Sequence, residues 1–403
     1  MNVGLVRGLG TIVLGLFFFS VRAQEEDPRY QEFSLELEGS SRYFFQDAMY
    51  PGQEQHYLSF SVQPEYLVEW ADGVHSVKFV GFGRIDQHDR RRIHFDIREL
   101  YWQTYNDDLD LSLGFKKVFW GKTESAHLVD IVNQTDAVES FDGEAKLGEF
   151  MAHLSLLNNL GTVELFVMPY FRKRVFPGRK GRLRPGDPSD IVIDSRDFDF
   201  ESQAGRWRPS FAARLSNYIG PLDFGISYFN GTGREPIITD FTTFTSIYGI
   251  INQIGVDLQV TTGALLLKME SIYRANQFQD VFALVGGFEY TFGNVGGSGL
   301  DIGVLGEYLY DDRDELSLTG LQSDVFGGVR LGFNDVQDTQ FLMGAIYDVN
   351  RTTDLYFLEF SRRVGGNWKA VVEGRIFEDV DPEEFTYFIR DDSFLQVAIT
   401  RYF

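Results

Sequence analysis

Apolar and polar residues alternate with a period of two along almost the whole of this 403-residue chain, and few folds can use such a pattern throughout. Phe33, Leu35 and Leu37 interleave with Ser34, Glu36 and Glu38, and Leu58, Phe60 and Val62 with Ser59, Ser61 and Gln63. Ile93, Phe95 and Ile97 interleave with His94, Asp96 and Arg98, and Leu109, Leu111, Leu113 and Phe115 with Asp110, Ser112, Gly114 and Lys116. The rhythm returns in residues 254–260, 300–310, 325–333 and 368–376, and no long amphipathic helix interrupts it. Side chains two apart on a strand share a face, so each run has one apolar face and one charged face that must meet water.

The punctuation between runs separates a barrel from a sandwich. Tight turn signals fall at residues 71–73, 106–108, 159–161, 219–221, 261–263, 293–299, 334–338 and 365–367. The connections between them are longer: 47–55, 121–147, 173–206, 230–249, 311–322 and 378–392. This predicts about eighteen strands of about ten residues in an up-and-down barrel with a short-turn end and a long-loop end. Sixteen strands follow if the weaker segments 249–261 and 354–363 are dropped. A soluble sandwich or β-helix is the architectural alternative, and no fixed-period repeat points to a solenoid. Trp70, Tyr101, Trp102, Tyr105, Tyr218, Tyr290, Phe292 and Tyr402 cluster near the tight turns, as an interfacial aromatic girdle would.

Residues 1–23 have the form of a signal peptide: Arg7, an apolar run over 11–20, and a small residue, Ala23, at the expected cut. Residues 24–403 are then one exported domain. No apolar run approaches the ~20 residues of a membrane helix. The chain has no cysteine, which excludes disulfides, thiolate metal sites and a Cys nucleophile. Its formal charge of −22 argues against nucleic acid as a partner.

The last strand alternates as well: Leu395, Val397, Ile399 and Phe403 share one face, and Gln396, Ala398, Thr400 and Tyr402 the other. A closing strand that ends in Phe after a secretory start resembles those of the bacterial outer-membrane porin-like β-barrel superfamily, from which Arg401 departs. The resemblance implies an all-β fold, a transmembrane antiparallel up-and-down barrel. It implies a Gram-negative outer membrane with lipid and lipopolysaccharide as surroundings, and Phe403 as part of the signal read by the barrel-assembly machinery. Counted as the third loop of that end, 121–147 corresponds in position to the loop such porins fold into the lumen, where Lys122, Glu124, His127 and Asp130 are constriction candidates; the alternative is that it caps the barrel mouth from outside. Monomer and homotrimer stay equally open.

A barrel this wide cannot fill its lumen with wall side chains alone, so loops must narrow it. Lys78, Arg98, Lys116, Arg214, Arg330 and Arg375, with Asp96 and Glu307, are expected to line the pore, because Arg or Lys facing lipid at mid-bilayer would cost ~2–4 kcal/mol. Opposed charges across a constriction select solutes. Arg172, Arg174, Arg179, Lys180, Arg182 and Arg184 form a basic loop that serves either as a funnel for anions or as a rim paired with lipopolysaccharide phosphates and acids such as Asp187 and Asp190. Ser125, His127 and Asp130 form a triad on paper only, without a nucleophile elbow, and the His spacing offers no zinc site. Residues 311–315 could hold a divalent cation, but a solvated loop is the better reading. The sequence thus predicts a channel, not an enzyme, for passive diffusion of small hydrophilic solutes, with anionic ones as the candidate class if the basic loop is a funnel, and with no cofactor. The alternatives are a non-conducting barrel acting as adhesin or envelope-assembly scaffold, and an outer-membrane hydrolase.

Overall fold

The computed structural model describes residues 29–184, 197–240, 245–313 and 321–403. The signal-peptide reading, Asp187, Asp190, Asp314 and Glu315 lie outside these described residues.

Eighteen strands close into one antiparallel barrel. In chain order the first are β1 (Tyr30–Phe44), β2 (His56–Trp70), β3 (His75–Asp86), β4 (His94–Tyr105), β5 (Leu109–Lys116), β6 (Glu149–Asn158) and β7 (Gly161–Met168). After the short β8 (Asp199–Phe200) come β9 (Ser210–Ile219) and β10 (Leu222–Thr232), then the short β11 (Ile237–Asp240) and β12 (Thr245–Tyr248). The circuit continues with β13 (Ile250–Thr262), β14 (Leu265–Ala275), β15 (Val281–Phe292), β16 (Asp301–Asp311), β17 (Ser323–Gly332) and β18 (Gln340–Asp348). It ends with β19 (Asp354–Val364), β20 (Trp368–Glu378) and β21 (Phe394–Tyr402). β8, β11 and β12 form a separate small sheet in the long loops. Both weaker segments of the sequence reading are strands, β13 and β19, so the count is eighteen rather than sixteen.

Closure follows from the two end strands. Glu36 lies opposite Tyr402 and Phe44 opposite Phe394, and the backbones of Leu35 and Phe403 exchange hydrogen bonds. With no free edge, every strand of the barrel finds partners on both sides, which is what a span through lipid requires. All eight tight turns expected from sequence join hairpins at one end. At Ala71 and Asp72 the turn is taken with φ of 54° and 56°, continued by Gly73 at 85°.

The outward faces carry the apolar half of the alternation: Phe33, Leu58, Phe60, Ile85, Phe95, Leu113, Ile254, Val397 and Ile399 are all exposed. Such a continuous apolar surface belongs in a bilayer. Arg401 interrupts it near the turns, where its guanidinium lies 4.5 Å from the Phe403 ring centroid and 5.1 Å from that of Trp368. Aromatic faces shelter the charge at the level where side chains snorkel. Tyr101, Tyr105 and Tyr402 depart from the expected girdle, Tyr402 because it shares the inward face with Gln396 and Thr400 and the other two because of a bulge. Between β3 and β4 the register slips where Val80 faces Glu99 and Gly81 faces Ile97, leaving Arg98 as a bulge. The extra residue flips the alternation, so Tyr101 points inward, its ring 5.2 Å from Lys116 Nζ.

Candidate functional site

The lumen is crossed by the loop joining β5 to β6, residues 117–148, hereafter the strap. By position it is the third connection at the long-loop end. Asn133, almost fully buried, ties its two feet together: its amide accepts from Val118 N at 2.8 Å and donates to the carbonyls of Lys116 and Leu147 at 2.9 Å each.

Two wall glutamates hold the near side of the strap. Glu270 of β14 accepts from Lys122 N (2.6 Å), Thr123 N (3.1 Å), Thr123 Oγ1 (2.8 Å) and Val129 N (3.2 Å). Glu307 of β16 accepts from the backbone N of Glu124 and of Ser125, both at 2.8 Å, and from the Ser125 hydroxyl. A carboxylate is well suited to this task, because it offers several lone pairs to a turn whose N–H groups all point one way. Farther along, Glu139 meets Arg84 of β3 and His94 of β4, both at 2.8 Å. Burial pushes the Glu139 carboxyl up, but the His94 hydrogen bond and the Arg84 and Arg92 charges outweigh it and hold it at about 2. β3 and β14 lie eight places apart in the ring of eighteen, so the strap spans the lumen's width.

Apolar packing fixes the rest. Val129 and Val132 are fully buried against Met151, Phe166, Phe229, Ile251 and Ile272 of the inner wall. Arg234, 4% exposed, donates to the carbonyls of Ile131 and Val132 at 2.6–3.1 Å, so a guanidinium fork caps the strap backbone from behind.

The residues singled out from sequence divide into pairs. Lys78 lies 3.2 Å from both Glu65 and Glu99. Arg98 meets Asp136 of the strap at 2.6 Å and Asp96 at 3.3 Å, and Asp96 is also held by Arg172 at 2.6 Å. Arg214 pairs with Asp257 at 2.7 Å, and Lys116 donates to Ser112 Oγ at 2.9 Å beside His153. Arg330 reaches Glu124 at 2.6 Å, Lys122 reaches Asp223 at 2.8 Å, and Asp130 is met by Lys146 at 3.1 Å. His127 bridges Glu144 (3.2 Å) and Glu270 (3.7 Å). Burial pulls its imidazole down, but these two carboxylates outweigh burial and raise it to about 10.

The basic loop is mostly internal. Arg182 is buried on Asp392 at 2.5 Å, and Arg184 is fully buried under the Tyr50 ring at 3.9 Å. Arg174 donates to Gln134 Oε1 at 3.3 Å, while Arg179 and Lys180 stand exposed at the rim. The paper triad does not assemble: Ser125 bonds Glu307, His127 its two glutamates and Asp130 Lys146. Asp311 is bound by Arg313 at 2.5 Å, and among the described residues no His, Asp or Glu cluster is placed to hold a metal.

Sequence reasoning passed over Arg234 and Glu235. Their partners lie far off along the chain, and the local run GTGREP gives no sign of them. Glu235 takes Arg274 at 3.0 Å and Arg313 at 2.6 Å, and these guanidiniums hold its carboxyl well below the usual range despite burial. Between the strap, the β14–β20 wall and the neighbouring loops lies a cavity of about 590 Å³, into which Leu342, Leu355 and Phe357 open beside Arg375.

No family model and no curated protein sequence matches the chain. Solved structures match its fold. Pseudomonas aeruginosa OccK5 (OpdH) superposes with a TM-score of 0.56 at 10% identity, over 92% of this chain and 97% of that one. A BenF-like porin from Pseudomonas fluorescens gives 0.55 at 10% identity, over 93% and 98%. Escherichia coli Wzi, described as a carbohydrate-binding β-barrel involved in group 1 capsule assembly, gives 0.51 at 12% identity, over 90% and 83%. In fold, then, the chain is a closed eighteen-strand antiparallel barrel similar to those of solved outer-membrane porins.

Proposed function

We propose that the protein is a non-enzymatic outer-membrane channel of a Gram-negative bacterium, through which small hydrophilic solutes diffuse passively past the strap. The observation that carries this reading is the strap itself: a fixed loop narrows a closed barrel and leaves a cavity of about 590 Å³ beside it. Wall charges paired across the lumen are what a narrowed aqueous path requires, since each would be costly in lipid. The short-turn end, with Phe403 beside it, faces the periplasm, and the long loops face outward among lipopolysaccharide. The basic loop acts mainly as internal bracing, and its anion-attracting share falls to Arg174, Arg179 and Lys180.

Refolded protein in a planar bilayer is expected to give discrete conductance steps. A barrel that stays silent at all voltages and salts refutes the channel. That silence is the outcome predicted by the rival reading, a non-conducting scaffold, which draws support from the apolar packing of loop residues such as Leu183 and Ile389 against the inner wall.

A further inference from the structure

The cavity beside the strap is dipolar. At one end the single guanidinium of Arg375 is ringed by Glu359 (2.7 Å), Asp142 (3.0 Å) and Glu373 (3.5 Å), three carboxylates to one cation. The Glu359 and Asp142 side chains remain 46% and 35% exposed, so this negative pole is open to a solute. At the other end Arg274 and Arg313 share Glu235, Arg313 also takes Asp311, and Arg174 makes no ion pair among the described residues. Among the described residues, three guanidiniums against two carboxylates leave that pole positive. Of the other charged lining residues, Lys146 pairs with Asp130, Glu144 with His127 and Glu124 with Arg330, while the Arg234 guanidinium is turned onto the strap carbonyls of Ile131 and Val132 and adds to the positive end.

Between the poles the wall is apolar. Leu342 and Ile346 of β18 and Leu355 and Phe357 of β19 line the cavity half-buried, with Ile346 directly opposite Leu355. Leu342, Ile346 and Phe357 pack on one side with Phe326 and the strap's Leu128, and Leu355 with Phe377 and Ile389; the surface they still turn to the cavity is an apolar floor between opposite charges, where lumen positions of a water-filled barrel are normally polar. Arg313 follows β16 and Glu359 sits on β19, three strands on, which is roughly 14 Å at the ~4.8 Å spacing of neighbouring strands. The ammonium and carboxylate of a single amino acid cannot bridge that distance. A chain extended at ~3.3–3.6 Å per residue does so with about four residues.

We propose that the cavity is a binding station for short zwitterionic peptides with apolar side chains. The ammonium sits at Glu359 and Asp142, the carboxylate at Arg174 and Arg313, and the side chains lie on the Leu342–Phe357 strip. This rests on the channel reading above and names its solute class.

The test uses full-length refolded protein in a planar bilayer in KCl, with tetraalanine, its N-acetylated form, its C-amide and the doubly capped form added in turn. Tetraalanine is expected to interrupt the current at concentrations about tenfold or more below those of each capped form. Wild-type protein alone decides this. The D142N/E359Q pair and R174Q, each verified by a heat-modifiable gel shift, are expected to bring tetraalanine to the level of the capped peptides. Equal potency of free and capped peptides, or variants that leave tetraalanine block unchanged, overturns the station while ion conductance stands. Absence of any ion conductance overturns the channel reading instead, and equilibrium dialysis of labelled tetraalanine against the detergent-solubilised barrel then decides the station by itself.

Discussion

If Glu270 holds the strap, replacing it should free residues 122–129 without opening the barrel. Its side chain is fully buried and accepts three backbone N–H groups and one hydroxyl. Glu270→Ala orphans all of them. A buried donor left unpaired costs ~1–3 kcal/mol, and water entering the lumen re-pairs some, so the net loss is about 3–5 kcal/mol. That raises the open population of the segment by roughly 10² to 4 × 10³-fold. The backbone ladder of β14 to β13 and β15 does not involve the carboxylate and survives. Hydrogen exchange of the refolded protein should therefore accelerate in residues 122–129 and remain slow in β13–β15, while single-channel conductance rises and becomes noisier. Glu307→Ala acts on the next two residues, and the two changes should couple rather than add, because one strap serves both. His127 adds a pH signature. Its folded-state value is raised to about 10, so its hold is complete below the ordinary imidazole range and is lost as pH climbs through about 10. Unchanged exchange and conductance in the double variant would falsify the assignment of Glu270 and Glu307 as anchors.

Two further outcomes concern the loops around the cavity. The Arg182–Asp392 pair is buried at 1% and 4% side-chain exposure, so Arg182→Ala should cost about 3–5 kcal/mol locally by stranding Asp392, and adding Asp392→Asn should recover part of it; limited proteolysis of the loop at residues 379–393 measures both. Glu384, in that loop, is pushed up to about 7 chiefly by burial and by the nearby Asp348 carboxylate, against hydrogen bonds from Thr386 and Thr353. Being raised, it stabilises the docked loop most fully below the ordinary glutamate range and loses that contribution as pH rises through about 7, so after correction for intrinsic rates residues 379–393 should exchange faster at pH 8 than at pH 5.

The barrel was legible in the sequence because it is written locally. Alternation fixes which face each strand buries, and turn residues such as Ala71-Asp72-Gly73 fix where it reverses, so strand number follows from neighbours two to ten residues apart. Arg98 shows the limit: nothing in HFDIRELYW marks the bulge, and missing it put Tyr101 on the wrong face. The strap was visible as a loop too long and too apolar for a hairpin. Its anchors were less so, because Glu270 and Arg234 act on backbone groups 148 and 102 residues away, and backbone N–H and C=O groups leave no mark on composition.

Charge in this lumen serves two ends that sequence alone could not separate. A cation on an inward face is equally consistent with a solute filter and with a brace, since both escape the penalty of facing lipid. Partner counts distinguish them. Where one cation meets one carboxylate, as in Arg214–Asp257, the field beyond the pair decays quickly and the residue mainly fixes geometry. Where the count is unequal, as around Arg375 or at Arg174, a net charge remains that a passing solute can feel. The overall charge of −22 therefore says little about what the lumen admits. Among the described residues, Arg375 and Arg174 are two such positions of incomplete pairing, and both line the cavity beside the strap.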